Sequence, residues 1–509
     1  MKTKLYSILI ILVITFKCFT QQYTAIDILP GIEASRPENF TEFNNLLLFT
    51  ASDSYGYWPR KIFRSDGTIA GTYALNDSIS VNNLDLGLKL GDYIYFIGTN
   101  KNTSSVWRTD GTVNGTKMIL DSISSNLVVL NQKLFFLISY SDPVWGTSIF
   151  KLSKYDPTNN LTSEIYTWNN PQFSGNNNLR VFNNKIFFYN WVSDGTSSNT
   201  IQTNVILPSL EYSCVYNGLI YYRGKNGKLW RTDGTTNGTF QAVDYPVWSD
   251  FKVYNNLIYF SGGIVGPGMQ GTELCSTDGT LANTKVVKDI YYGYNSSYPS
   301  HFSVVNGTLY FVANDGVTGK EIYKSDGTTN GTVLLKDIEP GSEGAFNNVP
   351  DDYFNIVSHK NELFFNILPS YSRYIRESGI WKTAGTANNT TNVFQIDTTR
   401  SLTSINGKLF FTGYSANLGW ELYVEDLTLN MLEHDKLNFT VFPNPFNTSI
   451  NIKCESKLIG KIYKIYDNTG RVLLTGKIIS ENILMELNNL TNGIYFLCID
   501  DFVQKIIKE

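Results

Sequence analysis

Hydrophobic and polar positions alternate along this chain with a period of two, and turn-forming pairs interrupt the alternation every few residues. Residues 301–338 show the unit: HFSVV, Asn306-Gly307, TLYFVA, a short loop, EIYKSDGTTNGT and TVLLKDI. Aromatic and β-branched residues alternating with polar ones predict strands. Asn-Gly between two apolar runs predicts a tight hairpin. Four strands follow, at 301–305, 308–313, 321–325 and 332–338. The second is apolar on both faces (Leu309, Tyr310, Phe311, Val312), which suits a sheet covered on both sides.

The segment between the third and fourth strands recurs. KIFRSDGTIAGT stands at 61–72, VWRTDGTVNGT at 106–116, LWRTDGTTNGT at 229–239, ELCSTDGTLANT at 273–284 and EIYKSDGTTNGT at 321–332, with a weaker IWKTAGTANNT at 380–390. Its turn residues are Asp66, Gly67 and Thr68; Asp110, Gly111 and Thr112; Asp233, Gly234 and Thr235; Asp278, Gly279 and Thr280; and Asp326, Gly327 and Thr328. An Asp carboxylate accepts backbone N–H groups two residues on, Gly supplies positive φ, and the Thr hydroxyl adds a bond. These are structural turn residues. Calcium at each turn is the weaker reading, because calcium takes six to eight oxygens and the motif offers one carboxylate.

Several copies lie about 45 residues apart, the length of a propeller blade, and four-stranded sheets packed around an axis make a β-propeller. The hairpin pairs Asn44-Asn45, Asn183-Asn184, Asn217-Gly218, Asn255-Asn256 and Asn406-Gly407 help to place nine units, at 43–75, 88–121, 128–166, 180–207, 214–244, 252–290, 303–346, 356–397 and 404–433. The third has lost Asp-Gly-Thr and reads IFKLSKYDPTNNLT. The fourth is short, with Asp194-Gly195-Thr196 displaced. Either the fourth is an insertion, leaving eight blades, or the ring is unusually large; two smaller rings would use the same units. YTAIDILPG at 23–31 is similar to the end of a repeat, KDIEPG at 336–341. The first strand is therefore expected to complete the last blade, as a closed ring without free edges requires.

The two ends of the chain differ from the repeats. Lys2 and Lys4 precede an apolar run from Leu5 to Phe16, followed by Cys18-Phe19-Thr20: a secretory signal cut near Thr20. The run is too short to span a bilayer, and no other stretch approaches 18 apolar residues. Lys17 argues against a lipid anchor on Cys18. After His434 the repeat stops, and short strands separated by Pro-Asn-Pro, Asn-Thr-Gly and Thr-Asn-Gly predict a small Ig-like β-sandwich. The expected organisation is leader 1–20, propeller 21–435 and sandwich 436–509.

Composition narrows the chemistry. A net charge of −4 leaves no basic footprint for nucleic acid. Of five cysteines one is in the leader, and four are too few for a disulfide framework. Cys214 and Cys275 read as small apolar strand residues; a bridge between Cys454 and Cys498 is left open. His301, His359 and His434 lack zinc spacing, and neither His-Glu-x-x-His, Gly-x-Ser-x-Gly nor a phosphate loop occurs. The Gly-rich stretch at 262–268 lacks the Lys-Ser/Thr that a phosphate loop needs. No catalytic, cofactor or metal residue is assigned. Aromatics in the loops (Tyr55, Tyr57, Trp58, Trp145, Tyr291, Tyr292, Tyr294, Tyr298, Tyr371, Tyr374) suit glycan or protein contacts or packing between blades.

Two family resemblances rest on these motifs. The repeats resemble the bacterial ELWxxDGT repeat family across 43–433, which implies architecture more than activity. The tail resembles the type A C-terminal sorting domain of type IX secretion substrates. Its matching residues are Pro443, Asn444 and Pro445; Ile462-Tyr463 through Asp467 to Gly470, Arg471 and Val472; Leu490 to Asn492, Gly493, Ile494 and Tyr495; and the basic end with Lys505 and Lys508. That resemblance implies a Gram-negative cell, passage through the periplasm, contact with the type IX machinery, and a passenger released or attached to surface lipopolysaccharide. Asp77-Ser78-Ile79 and Asp121-Ser122-Ile123 resemble an O-glycosylation motif, with Ser78 and Ser122 as acceptors. The function so implied is a secreted or cell-surface, non-enzymatic propeller that binds glycan or protein ligands through its loops. The alternative, suggested by turns that resemble the Asp-box of sialidases, is a glycoside hydrolase acting on extracellular polysaccharide. It would need paired carboxylates or a Tyr nucleophile.

Overall fold

The computed structural model describes residues 23–55, 59–76, 80–81, 87–100, 103–141, 148–170, 178–203, 205–208, 213–263, 271–346, 354–368, 378–425, 439–467, 472–499 and 502–509. The expected leader, Tyr57, Trp58, Ser78, Trp145, residues 264–268, Tyr371, Tyr374, His434, Gly470 and Arg471 lie outside them. The chain divides into two units, one over 23–425 and one carrying the tail from 426.

Among the described residues the first unit is a β-propeller of nine blades. Seven are separate four-stranded antiparallel sheets. Two are joined in a seven-stranded sheet, because the long strand Phe240–Tyr254 ends the fifth blade and begins the sixth. Strands within the first eight blades pair in chain order. Asn-Gly and Asn-Asn pairs turn the first strand into the second with both residues at positive φ, as at Asn306 (48°) and Gly307 (69°), the geometry of a type I′ hairpin. The seventh blade shows the plan: Ser300–Val305, Thr308–Asn314, Lys320–Ser325 and Val333–Lys336. Its last strand stops two residues short of the expected 338. The chain leaves the ladder there, and the N–H of Glu339 goes to a buried side chain instead.

The fourth segment is a blade, not an insertion. Arg180–Phe182, Lys185–Phe188, Trp191–Ser193 and Ile201–Gln202 form a short sheet. Asp194 is not displaced: it occupies the same turn as in the other copies. The third strand of the ninth blade is Gly419–Glu425, the expected stretch 426–433 lies outside the described residues, and the fourth place is taken by Tyr23–Ile26. That strand pairs Tyr23 with Glu425 and Ile26 with Leu422.

Closure is visible in the cores as well. Among the described residues nine buried apolar clusters sit between successive blades. The last two join Phe364 and Ile380 to Tyr23, Phe411 and Tyr423, and Leu422 and Val424 to Leu47, Phe49 and Phe63. Nine interfaces for nine blades require a closed circuit. Each large side chain buried there contributes roughly 1.5–3 kcal/mol.

The tail is a two-sheet β-sandwich. Phe439–Phe442, Ser449–Cys454 and Asn482–Glu486 make one sheet; Val472–Lys477, Ile462–Tyr466, Gly493–Ile499 and Phe502–Lys508 make the other. Ile450, Ile452, Ile465, Leu497 and Ile506 fill the space between. The Asn444 amide donates to Lys505 O (2.8 Å), and its Oδ1 accepts Ile507 N–H (2.8 Å). The Tyr495 hydroxyl donates to Thr491 O at 2.7 Å. Lys505 is exposed, but Lys508 is buried: its ammonium donates to Leu487 O at 2.7 Å. Half of the expected basic end is therefore a structural tie. Cys454 and Cys498 stand in different sheets as free thiols, as are Cys214 and Cys275.

Candidate functional site

Strand order places two kinds of connection at opposite ends of every blade. One end carries the first hairpin and, in every blade but the ninth, where Tyr23–Ile26 is the fourth strand, the turn from the third strand to the fourth. The other carries the loop between strands two and three and the link to the next blade. We call these the turn end and the loop end.

At the turn end, Asp66 Oδ1 accepts the N–H (2.8 Å) and hydroxyl (2.7 Å) of Thr68, whose Oγ in turn accepts Gly71 N–H (2.9 Å). Ser65 Oγ receives Gly67 N–H (3.0 Å) and meets Thr72 Oγ at 2.7 Å, closing the turn. The Asp-to-Thr bonds recur at Asp110, Asp194, Asp233, Asp278 and Asp326. Gly67, Gly111, Gly234, Gly279 and Gly327 all have φ between 85° and 94°, where a side chain is disfavoured. A Cβ on the second glycine (Gly71, Gly115, Gly238 or Gly331) would fall on the Asp carboxylate. Two blades that keep the Asp use Asn at that place instead, and Asn199 and Asn283 donate to the Asp Oδ2 at 2.7 Å. In the eighth blade Ala384 replaces the Asp, and Asn389 Oδ1 takes over its role by accepting Thr386 N–H at 2.9 Å. The third blade keeps the Asp156 to Thr158 bonds without a glycine. Thr hydroxyl bonds, foremost, hold Asp194, Asp233, Asp278 and Asp326 below the usual carboxylate range. Partial burial pushes Asp66 up, but Thr68 and the nearby Arg64 and Lys408 bring it below.

At the loop end the acceptors are buried glutamates. Glu421 takes Ile28 N–H, Ser35 N–H (both 2.9 Å) and the Ser35 hydroxyl (2.6 Å). Glu273 takes Ile290 N–H (2.8 Å), Ser297 N–H (2.9 Å) and the Ser297 hydroxyl (2.5 Å). Glu321 takes Glu339 N–H (3.0 Å) and Ala345 N–H (2.9 Å); Ala345 has no hydroxyl to offer, and Glu321 Oε2 is without a partner. All three are fully buried. Burial pushes each up to about 7 despite the donated bonds, and Asp289, Asp337 and Asp27 respectively push the same way. Each glutamate fastens the link that leaves its blade for the next. This clamp was not among the residues singled out from sequence, although Glu273 and Glu321 stand five positions before the Asp of their turns.

The histidines have structural partners. His359 is 1% exposed, with Nδ1 at 2.7 Å from Ser404 Oγ and Nε2 at 2.8 Å from Glu425 Oε2; Lys360 meets Oε1 at 2.9 Å. Both ring nitrogens are occupied, so the chain Ser404–His359–Glu425 ties blade eight to blade nine beside the closing strand. The His301 ring packs edge-on to Phe354. Among the described residues no group of His, Cys, Asp or Glu is arranged to hold a metal ion. Ser122 is exposed at φ 62°, and its N–H is held by Asp121 Oδ1 at 2.8 Å.

The loop end also exposes large side chains. Tyr55 stands in a loop between strands two and three, as does Val317; Ile32, Ile206, Tyr292, Tyr294 and Tyr298 stand on links between blades. Among the described residues the turn end exposes aliphatics, Ile69, Val113, Leu161, Ile201 and Leu281, and two half-exposed rings that open fourth strands, Tyr73 under Arg64 and Phe240 under Arg231.

Comparison with known proteins adds one family. Residues 440–509 match the secretion system C-terminal sorting domain. This implies export by the type IX route to the cell surface or the extracellular space. No helix among the described residues is long and apolar enough to cross a membrane. No curated protein sequence matches the chain. Among solved structures it is similar to the β-propeller domain of the Trilobed protease from Pyrococcus furiosus: 15% identity, covering 58% of this chain and 93% of that one, with a TM-score of 0.30. It is similar to PorZ, a surface component of the type IX secretion system of Porphyromonas gingivalis, at 11% identity, covering 93% and 86%, with a TM-score of 0.24. It is also similar to BamB from Moraxella catarrhalis, at 9% identity, covering 60% and 92%, with a TM-score of 0.31.

Proposed function

We propose that this chain is a non-enzymatic, ELWxxDGT-type recognition propeller, carried out of a Gram-negative cell by its sorting tail and binding an extracellular ligand with the loop end of its ring. The observation that carries the reading is the asymmetry of the blades. The turn end is one motif copied around the ring, with its polar groups bonded within the motif. The loop end differs from blade to blade and exposes aromatic and aliphatic side chains. Varied loops on a fixed scaffold are where binding function concentrates, and exposed apolar groups rimmed by polar ones mark contact surfaces. In the exported product the tail is removed, and the passenger is free or attached to lipopolysaccharide. Ser122, exposed above the Asp121 carboxylate, is the glycosylation acceptor within the described residues.

The test combines fractionation of the producing cells with intact mass. The reading expects a product in culture fluid or outer membrane that lacks about 20 N-terminal residues and the sandwich. That product should bind its extracellular glycan or protein ligand less well after Tyr55→Ser with Val317→Ser, and equally well after Ile69→Ser at the turn end. A periplasmic product that keeps its tail, or binding that only the turn-end change disturbs, overturns it.

A further inference from the structure

The link between blades six and seven stands apart from the others. Residues 291–300 read YYGYNSSYPS, built from Tyr, Gly, Asn, Ser and Pro alone. Tyr, Ser, Gly and Asn are the residues that enrich antibody combining loops, where rigid aromatic rings supply area and small polar residues supply hydrogen bonds. Tyr292, Tyr294 and Tyr298 are 88%, 69% and 58% exposed. Water is a poor environment for three such rings on one short segment.

The segment is nevertheless pinned along its length. Glu273 holds Ile290 and Ser297, and Asp289 Oδ2 accepts Gly293 N–H at 3.2 Å. Gly293 O accepts Gly271 N–H (3.1 Å), and Thr272 O accepts the N–H groups of Ser297 (3.0 Å) and Tyr298 (3.2 Å). Ser297 O accepts Asn314 N–H at 3.0 Å. The Tyr291 ring covers Gly316, where a Cβ would collide with it. Tyr298 is held at φ 45°, a conformation that costs a bulky L-residue about 1–2 kcal/mol and persists only when the surroundings impose it. The ordering entropy of this loop is met by folding, not by binding, which favours affinity.

We propose that residues 291–298 form a preorganised binding site for a neutral polysaccharide chain, with Tyr292, Tyr294 and Tyr298 as platforms for sugar rings. The inference rests on the loop-end reading above and names its ligand. No side chain on the segment carries charge, so nothing there selects an acidic or a basic partner. Flat aromatic faces match the C–H faces of a sugar, and the exposed Asn295 amide and the tyrosine hydroxyls match its hydroxyls. The rings stand out from the surface instead of lining a cavity, which suits an extended polymer more than a small molecule.

The experiment is retention of the protein recovered from culture fluid or outer membrane on insoluble or gel-immobilised polysaccharides: cellulose, curdlan, chitin and mannan as neutral probes, alginate and pectate as acidic ones. The triple variant Tyr292→Ser, Tyr294→Ser, Tyr298→Asn is compared with the turn-end variant Ile69→Ser, Val113→Ser, Leu281→Ser. All six positions are exposed, and matching melting temperatures check that both variants fold. The expected result is retention of the parent on at least one neutral polymer, a loss of about tenfold or more in the tyrosine variant, and parental behaviour in the turn-end variant. Equal retention of parent and tyrosine variant overturns the site and leaves the loop-end reading standing. Retention on acidic polymers alone, or loss of binding to a protein ligand instead, overturns the ligand class. Binding abolished by the turn-end variant alone overturns both.

Discussion

The two ends of the blades solve one problem with opposite devices. Both must satisfy backbone N–H groups where the chain leaves a sheet. The turn end uses an exposed aspartate acting over two residues, which bonding holds ionised. The loop end uses a glutamate sealed inside, acting over 17 residues to Ile290 and 24 to Ser297, with burial holding its proton up to about 7. The first device is cheap, local and repeatable, so it appears with little change around the ring. The second is available only where the fold supplies a dry site, and it permits a long link of arbitrary sequence to be held rigid. The difference explains why one end is uniform and the other can carry recognition.

The comparison breaks most visibly at the seam. Glu421→Ala removes the acceptor of the buried Ser35 N–H and the part-buried Ile28 N–H, leaves the Ser35 hydroxyl only its long bond to Trp420 O, and opens a cavity next to the strand that closes the ring. An unsatisfied buried group costs about 1–3 kcal/mol, so a loss of about 3 kcal/mol or more is expected in urea unfolding. Asp66→Ala, where water replaces the carboxylate, should cost about 1 kcal/mol or less.

The ends should also respond oppositely to pH. Glu273, Glu321 and Glu421 bind protons more tightly when folded (about 7) than when unfolded (4.5). Their stabilisation is complete below the unfolded value and is lost as pH rises through about 7. The aspartates, lowered from 3.8, contribute stability that is lost on acidification below that range. Urea midpoints should fall from pH 5 to 8, and the triple change Glu273→Gln, Glu321→Gln, Glu421→Gln should flatten that fall while leaving the acid limb.

Smaller effects sharpen the picture. Gly331→Ala places a Cβ on the Asp326 carboxylate and should lower the melting temperature. Gly331→Asn should lower it less, because Asn199 and Asn283 already bond the Asp from that place. Ala345→Ser restores the hydroxyl that Ser35 and Ser297 provide elsewhere, and should add about 1 kcal/mol while drawing the Glu321 carboxyl downward.

This contrast also separates what the sequence discloses from what it conceals. Asp-Gly-Thr acts within its own turn, so strand order, hairpins, blade repeat and the closing role of 23–26 are legible from spacing. The fourth blade was harder, because its second and third strands are so short that it resembles an insertion. Glu273, Glu321 and Glu421 are concealed because their partners are set by where the chain returns. The available signal was a glutamate near the start of a third strand, directly before apolar residues that the sheet covers on both sides, where a carboxylate needs dedicated donors. Lys508 misleads for the same reason: a terminal lysine reads as surface charge until its partner Leu487 O is known.

The central claim is that the loop end is rigid where it is most exposed, and amide hydrogen exchange over 289–299 tests it. The account predicts that Ile290, Ser297 and Tyr298 are protected to a degree approaching the strand Glu273–Thr277, and that Glu273→Ala removes that protection while the turn at Asp278 keeps its own. Exchange of those amides at unstructured rates in the parent protein would contradict it.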